Sequence, residues 1–447
     1  MKVKNNYFLF LIIIASTFKL LFFLFAEHPN LFPDSGGFIQ LAQMISNFNL
    51  SGYNGVRTPG YPLIIAICNM NLSLVVAFQM ILGIFISLLM FKTTYLFTLN
   101  TKFAFISALT YLFYVPQFNI ERAIVSETTA TFLATASVYF CVLYILREKL
   151  FYKIFISVIL GCFAALTRPL FILLPFFILV FFSVDAICRK EYWRRYVSRL
   201  TTMLLITIIS ITSWSYVNYK NNNVFTVSTL SGLGITNAVG GFMIPRNDQF
   251  KEIRDIYLKH RAIVIEKTGT YENTIFQAYD EMQQVTGLSY VSLSVQLQKM
   301  SRLEIIMQPL FYTKHVIDGA YRFWNPLADR DSRISFSLRY IPSTISRIGI
   351  LIINILFILG IPILMLIGIF KKKVDLNRLF FFIGIYTFVF CSSIAQGMVE
   401  YGTNRYSLPY QPITSCFALI STFYLIANVY QSSKIAKLLN ISNLPIK

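Results

Sequence analysis

Two side chains of opposite charge stand in a polar segment that separates two apolar runs near the start of the chain. The segment, residues 31–66, reads LFPDSGGFIQLAQMISNFNLSGYNGVRTPGYPLIIA and contains one acid, Asp34, and one arginine, Arg57. A carboxylate that is partly desolvated at a membrane surface can have a raised pKa, which suits a general base. A guanidinium can hold a phosphate through two parallel hydrogen bonds, which an ammonium cannot do. Asp34 and Arg57 are therefore candidates for base catalysis and phosphate binding.

Both residues also have a simpler interpretation. Asp34 lies between Pro33 and a Ser-Gly-Gly sequence, and an acid in that position commonly caps the helix that follows. Arg57 begins the sequence RTPGYP, and an arginine near a membrane interface commonly contacts lipid headgroups. The sequence alone leaves both interpretations open.

Two further arginines on the same predicted face have a proline within the next four residues. Arg168 lies in LTRPL, and Arg405 lies in EYGTNRYSLPYQP, which also contains Glu400 and Tyr406. Proline ends or interrupts a helix, so each arginine is presented where a helix stops. Together with Arg57, three separate loops each offer an arginine near a proline, which favours an anionic ligand. Snorkelling of these side chains toward headgroups is the alternative.

Charged residues also precede the fourth apolar run and interrupt the first. The segment QFNIERAIVSETTATFL contains Glu121, Arg122 and Glu127. On a continuous helix a spacing of six places Glu121 and Glu127 on roughly opposite sides, so only one would face a shared site. The other would cap the helix or interact with its dipole. Lys19 lies inside the first apolar run, where an ammonium is costly enough to be a functional candidate.

The composition places most of the chain in lipid. Hydrophobic residues make up 56% of the 447 residues, charged residues make up 13%, and the mean hydropathy is +0.61. The formal net charge of +19 does not indicate a nucleic-acid-binding protein. The basic residues cluster in short loops that alternate along the chain, as expected of loops on one side of a membrane, where they contact anionic lipid headgroups. The six cysteines lie in or beside apolar runs without a CxxC pair, which predicts neither a disulfide framework nor a zinc site.

The apolar runs predict an all-α polytopic membrane protein with roughly ten transmembrane helices, because a helix satisfies its own backbone groups in lipid. The first run lacks a clear cleavage site and is interpreted as a retained helix, not a signal peptide. The two runs between 154 and 187 are short and could form a broken pair or a re-entrant hairpin. The predicted spans lie near 7–26, 72–92, 103–116, 128–146, 154–167, 170–187, 200–217, 347–370, 379–396 and 410–431.

The basic loops predict how these helices are oriented. The tendency of positive charge to stay inside places the N-terminus in the cytoplasm and the candidate residues on the external side of a plasma (inner) membrane. The segments predicted to be external are 27–71, 117–127, the turn at Arg168, 218–346 and 397–409. The basic clusters are Lys2 and Lys4, Lys92 and Lys102, Arg147 to Lys153, Arg189 to Arg199, Lys371 to Arg378, and Lys434 and Lys437.

The long external segment divides the chain into three parts. Residues 218–346 show helical periodicity from about 249 to 323 and are predicted to form a small external helical domain. The N-terminal transmembrane module is then 1–217, which includes the first external loop, and the C-terminal module is 347–447. Within the first loop, FIQLAQMI is predicted to lie flat on the membrane and YPLIIAIC to dip into the interface.

Four segments together resemble the polyprenyl-phosphate-dependent glycosyltransferases of superfamily C (GT-C), the relatives of protein O-mannosyltransferases and of the aminoarabinose transferase of lipid A. PDSGGFIQLAQ is similar to the acidic first external loop of that family, and RTPGYP to the segment that closes the loop. SETTATFL is similar to the entry to the fourth span, and NRYSLPYQP to the entry to a late span. The resemblance covers roughly 1–220 and 345–435, and the external insertion matches in position.

The chain departs from this family at one position that bears on metal binding. Many relatives carry Asp-Glu where this chain has Asp34-Ser35. The resemblance therefore leaves the presence of a divalent metal open. Glu27, His28 and Asp34 are the side chains that could ligate one, although nothing in their spacing demands it.

The resemblance implies a GT-C-like helical bundle that transfers a monosaccharide from polyprenyl phosphate, such as undecaprenyl phosphate, to an acceptor hydroxyl, with inversion. The acceptor would be a cell-envelope glycan, a lipid-linked saccharide or a protein. In this scheme Asp34 is the base. The donor phosphate contacts are Arg57, Arg168, Arg405 and Lys19, and the residues that orient sugar or acceptor are Glu121, Arg122, Glu127, Glu400 and Tyr406.

Two other functions remain open at this stage. A polysaccharide ligase or polymerase would also use external arginines, but on a lipid diphosphate donor. A lipid flippase or transporter would place charges near the bilayer midplane and commonly contains an internal repeat. Here the charges lie at the predicted external rim, and the sequence shows no repeat.

Overall fold

The computed structural model describes residues 6–25, 29–147, 150–189, 192–328, 341–371, 376–400 and 404–429. Regular structure in these ranges is helical, apart from one isolated bridge between Asn30 and Ala123. The helices are α1 (Asn6–Phe25), α2 (Ser35–Ser46), α3 (Gly60–Ile67), α4 (Leu72–Thr98), α5 (Thr101–Leu112), α6 (Val115–Glu121), α7 (Glu127–Leu146), α8 (Phe151–Thr167), α9 (Leu173–Cys188), α10 (Trp193–Asn222), α11 (Ser231–Val239), α12 (Lys251–Thr268), α13 (Thr274–Thr286), α14 (Tyr290–Met307), α15 (Pro309–Trp324), α16 (Ile341–Lys371), α17 (Leu376–Val399) and α18 (Gln411–Val429).

Some residues named in the sequence lie outside the described ranges. They include two candidate metal ligands and members of the basic clusters. They are Glu27, His28, Lys2, Lys4, Lys149, Lys190, Lys372, Lys373, Lys434 and Lys437.

Eight helical stretches within the described residues are long and apolar enough to cross a membrane. This confirms the predicted all-α polytopic class. The stretches contain α1, α4, α7, α9, α10, α16, α17 and α18.

The two remaining predicted spans take other forms. The run at 103–116 is broken: α5 ends at Leu112, and α6 leaves it at an angle of 58°. Tyr114 has an extended backbone, and Pro116 stands in the first turn of α6, where its missing N–H leaves no helical hydrogen bond unmade. The run at 154–167 becomes α8, an apolar helix of 17 residues.

The turn between α8 and α9 is set by one proline. Arg168 follows α8 with an extended backbone (φ −147°, ψ 111°), as a residue before proline prefers. Pro169 then begins a short 3-10 stretch, Pro169–Phe171, which leads into α9. The arginine is therefore held at the point where the chain reverses.

The two segments of the first loop that are predicted to lie at the membrane surface form helices α2 and α3. They bury Phe38 and Tyr61 against each other, with ring centroids 5.1 Å apart, and pack on Val76 at the start of α4. The connection between them turns at Gly52 and Gly55, whose φ angles of +79° and +77° favour glycine. The loop is thus a folded cap on one end of the bundle.

The described residues form a large core among the spanning helices and a second core among α11 to α14. The second core includes Leu233, Tyr257 and Leu297. Helix α15 joins the two regions, because Trp324 at its end donates to Ser393 of α17 at 3.2 Å and stacks on α16. Helix α15 thus connects the second core to the spanning helices, while an external domain at 218–346 stays a prediction.

Candidate functional site

The elements place the predicted polar residues at one end of the bundle. Glu127 is the first residue of α7, and Arg168 directly follows α8. Arg405 lies in the 3-10 stretch Asn404–Tyr410 that precedes α18. The described basic residues of the predicted cytoplasmic loops, such as Lys102 and Arg147, lie at the opposite ends of α5 and α7. The arrangement agrees with the predicted orientation, which itself stays a prediction.

Five of these residues meet in a network that we call the arginine–carboxylate cluster: Asp34, Arg57, Glu127, Arg168 and Arg405. Arg57 Nη2 lies 2.8 Å from Asp34 Oδ1, and Arg405 Nη1 lies 3.1 Å from Asp34 Oδ2. Arg405 Nε lies 2.6 Å from Glu127 Oε1, which also receives Arg168 Nη1 at 3.1 Å. Arg405 therefore bridges the two acids, and the three loop arginines predicted from the sequence share one site.

The cluster has a buried floor and an exposed mouth. The Glu127 side chain is 1% exposed and the Arg168 side chain 13%. Exposure rises through Arg57 at 18% and Arg405 at 27% to Asp34 at 38%. A ligand from outside would therefore meet Asp34, Arg57 and Arg405 before it reached Glu127.

Asp34 occupies the N-cap position of α2, but its side chain makes no capping hydrogen bond. Its oxygens bind the two arginines instead. Burial alone would raise the pKa of Asp34, but the charges of Arg57 and Arg405 outweigh it and hold this pKa below its ordinary value. The raised pKa expected from the sequence is therefore wrong for this residue, because the desolvated carboxylate has two cationic partners.

Glu400, next to the cluster, is a carboxyl group with a raised pKa. Burial raises its pKa, opposed by a hydrogen bond with Tyr406 and by the charge of Arg168. The Arg168 guanidinium carbon in turn lies 5.3 Å from the centroid of the Tyr406 ring. Glu400 and Tyr406 thus border the cluster on the side of Arg168.

Three predicted site residues form a separate group. Lys19 Nζ lies 2.5 Å from Glu121 Oε2, and both side chains are buried. Arg122 donates to Asn119 Oδ1 at 2.9 Å, and its guanidinium lies 5.2 Å from the Phe22 ring. Glu121 and Glu127 therefore belong to different environments, because the chain between them is not a continuous helix. The roles proposed for Lys19, Glu121 and Arg122 toward substrate stay predictions.

Small residues of the two loop motifs make room for the arginines. A Cβ added to Gly37 would lie 3.1 Å from Arg57 Nε, so this glycine lets the guanidinium cross the start of α2. A Cβ added to Gly60 would lie 2.8 Å from the backbone nitrogen of Thr167. Thr58 Oγ1 also donates to the Thr167 carbonyl at 3.2 Å. The glycines in PDSGG and RTPGYP are the feature of the sequence from which these close contacts could have been predicted.

Two aromatic rings flank the cluster and were not singled out from the sequence. The Arg57 guanidinium lies 4.5 Å from the centroid of Phe38, and that of Arg405 lies 5.0 Å from the centroid of Phe32. Such cation–π contacts hold a guanidinium without neutralising its charge. The arginines therefore keep their capacity to bind an anion.

A buried oxygen at the floor of the site, Glu127 Oε2, has no hydrogen-bond partner among the described residues. A buried carboxylate oxygen without a donor is costly. A hydroxyl-bearing ligand that reached this depth would supply one.

The described residues do not fit a divalent cation. No group of three or more His, Cys, Asp or Glu side chains there could hold one. The oxygens of Asp34 and one oxygen of Glu127 are bound by guanidinium groups, whose positive charges oppose a second cation. Glu27 and His28 lie outside the described residues.

Comparison with known proteins gives a distant likeness of fold. No family model matches the chain. No curated protein matches it. A solved structure of the archaeal oligosaccharyltransferase AglB from Archaeoglobus fulgidus, in complex with an inhibitory peptide and a dolichol-phosphate, is 13% identical, with a TM-score of 0.47, over 98% of this chain and 52% of that one. A second structure of the A. fulgidus oligosaccharyltransferase, in complex with Zn and sulfate, is 12% identical, with a TM-score of 0.47, over 99% and 52%.

The chain spans about half the length of these solved structures. Their identity and TM-score are too low to assign an activity to this chain.

Proposed function

We propose that the chain is an integral membrane glycosyltransferase of the GT-C type. It moves a monosaccharide from a polyprenyl-phosphate donor to an acceptor hydroxyl at the external face of the membrane. The observation that supports this most is the arginine–carboxylate cluster: three guanidinium groups from three distant loops surround two carboxylates at one end of the bundle.

The donor's chemistry matches what the cluster offers. A sugar on a prenyl phosphate already has a good leaving group, because the second pKa of a phosphate is about 6. The reaction then needs cations beside the departing phosphate more than it needs a strong acid, and each well-placed contact is worth about 10²–10³-fold in rate. Arg57 and Arg405 are the most exposed cations of the cluster and would meet the phosphate first.

Asp34 is the proposed base. Its lowered pKa means that the carboxylate is a weak base while Arg57 and Arg405 bind it. The phosphate would take hydrogen bonds from Arg57 and Arg405, which now bind Asp34. Loss of these partners would raise the pKa of Asp34 in the donor complex. The carboxylate would then accept the proton of the acceptor hydroxyl as the acceptor oxygen bonds to the anomeric carbon. The bond from that carbon to the phosphate oxygen breaks, and its electrons leave with the phosphate, which gives inversion.

The remaining residues are proposed to orient sugar and acceptor. Glu127 Oε2 is an acceptor without a donor and is suited to a sugar hydroxyl. Glu400 and Tyr406 border the same space from the segment before α18. The acceptor would be a cell-envelope glycan, a lipid-linked saccharide or a protein.

Asp34→Asn tests this proposal in membranes supplied with a radiolabelled prenyl-phosphate sugar. Loss of a general base should slow transfer by about 10²–10⁴-fold. Asp255→Asn is a matched control, because that residue is an exposed acid on α12. Transfer near the wild-type rate by Asp34→Asn at normal expression would refute Asp34 as the base.

The same assay separates the proposed activity from its rivals. In detergent a transferase still forms product, whereas a flippase has no two sides between which to move a lipid. A ligase or polymerase would instead consume a prenyl-diphosphate donor and leave the monophosphate donor unused.

A further inference from the structure

A buried ion pair lies beside the site and takes no part in the arginine–carboxylate cluster. Lys19 is 2% exposed and Glu121 is 0% exposed, and their charged atoms lie 2.5 Å apart. The hydroxyl of Tyr111 donates to the second Glu121 oxygen at 2.9 Å. Gly83 of α4 allows the approach, because a Cβ there would lie 2.6 Å from Glu121 Oε1.

Such a pair is a poor source of stability. Removing two charges from water commonly costs as much as their attraction returns, and apolar residues of similar volume often serve as well. Breaking one half of the pair is different, since it leaves an uncompensated buried charge. The pair is therefore better suited to holding one arrangement of the chain than to strengthening the fold.

The segment that follows Glu121 is fixed at several points. Gln79 Nε2 donates to the carbonyls of both Glu121 and Ala123 at 2.9 Å. The Asn30 amide donates to the Arg122 carbonyl at 2.9 Å, and the Ile124 amide donates to the Asn30 carbonyl at 3.0 Å. Residues 122–124 thus pair with Asn30, four residues before Asp34, through one isolated bridge.

The same segment reaches both acids of the cluster. Ser35 Oγ donates to the Ile124 carbonyl at 2.8 Å and accepts from the Phe32 amide at 2.9 Å. Asp34 is therefore held between two residues that depend on this contact. At its other end the segment leads within a few residues to Glu127, the first residue of α7.

We infer that Lys19 and Glu121 are positioning residues: their ion pair fixes residues 121–126 and thereby sets the Asp34 carboxylate opposite Glu127. In this arrangement Lys19 does not contact the donor phosphate and Glu121 does not contact the sugar. The kinetic part of this inference rests on the proposed function, whereas the structural part does not.

Hydrogen exchange measured by mass spectrometry tests the structural part without a substrate. Lys19→Met leaves the Glu121 charge without its partner, and peptides covering 29–35 and 121–126 should exchange about tenfold faster. The double variant Lys19→Met/Glu121→Gln removes both charges and keeps an acceptor for Tyr111, so it leaves no buried charge unpaired. Because the ion pair is absent from this variant too, exchange at 29–35 and 121–126 should stay faster than in wild type. Lys92→Met is the matched control, because that lysine is exposed on α4 and lies over the Phe8 ring.

The rate at which the same variants transfer sugar from a labelled prenyl-phosphate donor should fall as their hydrogen exchange at 29–35 and 121–126 becomes faster. Both the single and the double variant should lose turnover number more than donor affinity. If Lys19→Met abolishes transfer while exchange at 29–35 is unchanged, Lys19 acts on the substrate and the inference is wrong. The inference is also wrong if the double variant exchanges like wild type, because the segment is then fixed without the ion pair.

Two further outcomes are decisive. If wild type itself transfers no sugar, the proposed function fails, and the exchange data still decide whether the pair positions the segment. If Lys19→Met does not accumulate, Glu121→Gln provides the same comparison, and unchanged exchange in that variant overturns the inference.

Discussion

Arg405 donates from Nε to Glu127 Oε1 across 2.6 Å, although 278 positions separate the two residues. The same guanidinium reaches Asp34 through Nη1. One planar group therefore joins the buried acid at the floor of the site to the exposed acid at its mouth. The geometry requires an arginine, because an ammonium is a single point of charge.

Arg405→Lys should therefore impair the site while it keeps the charge. Lysine cannot meet both acids in the same plane, so we expect transfer from a prenyl-phosphate sugar to fall about 10²-fold. Measurement of transfer rate against donor concentration would show this. Arg302→Lys, at an exposed position on α14, should have no effect. A normal rate in Arg405→Lys would show that charge alone suffices.

Glu127→Gln should lower stability as well as activity. The change leaves Arg168 and Arg405 without their shared buried carboxylate. Both guanidinium groups are partly exposed, so we expect a loss of about 1–3 kcal/mol in the free energy of unfolding. Thermal unfolding in detergent would measure it. In the double variant with Arg405→Gln the two losses should not add, because the residues are in contact; full additivity would argue against the bridge.

Gly37→Ala should disturb Arg57 and leave the fold intact. The new Cβ would lie 3.1 Å from Arg57 Nε, so the guanidinium must shift by a few tenths of an ångström, which disturbs its contact with Asp34. Gly36→Ala is a close control, since a Cβ there meets nothing within 4 Å. We expect Gly36→Ala to be neutral or to stabilise by about 0.4–1 kcal/mol, and Gly37→Ala to weaken donor binding at unchanged melting temperature. Equal donor affinity in the two variants would remove Arg57 from the proposed binding role.

Much of this site could be predicted from local sequence. Proline next to Arg168 and in the segment after Arg405 places both side chains at helix ends. Counting spans then puts these ends on one side with Asp34 and Arg57, because each apolar run reverses the chain. The side of the membrane that a loop faces follows from the order of the spans and the positions of the basic residues. An error of a few residues in a helix boundary does not change it.

Other features depend on contacts that no local pattern encodes. The pairing of Lys19 with Glu121 joins residues 102 positions apart, and either residue alone suggests a substrate contact. The lowered pKa of Asp34 depends on Arg57 and on Arg405, and only the folded chain brings Arg405 within reach. The bend after Leu112 was missed because the apolar run continues across it.

Glu400 should make stability depend on pH in a stated direction. Its pKa is raised in the folded chain, chiefly by burial, so the folded state favours the neutral carboxyl. The stability that this preference contributes is fully present below the ordinary glutamate pKa of about 4.3 and is lost as pH rises through the folded pKa.

Glu400→Gln is neutral at every pH and can still accept a hydrogen bond from Tyr406. Its melting temperature relative to wild type should therefore increase from about pH 4 to pH 8. Glu266→Gln, an exposed control on α12, should show no such trend. A difference that decreased with pH for Glu400→Gln would mean that the charged carboxylate is the favoured form beside Arg168.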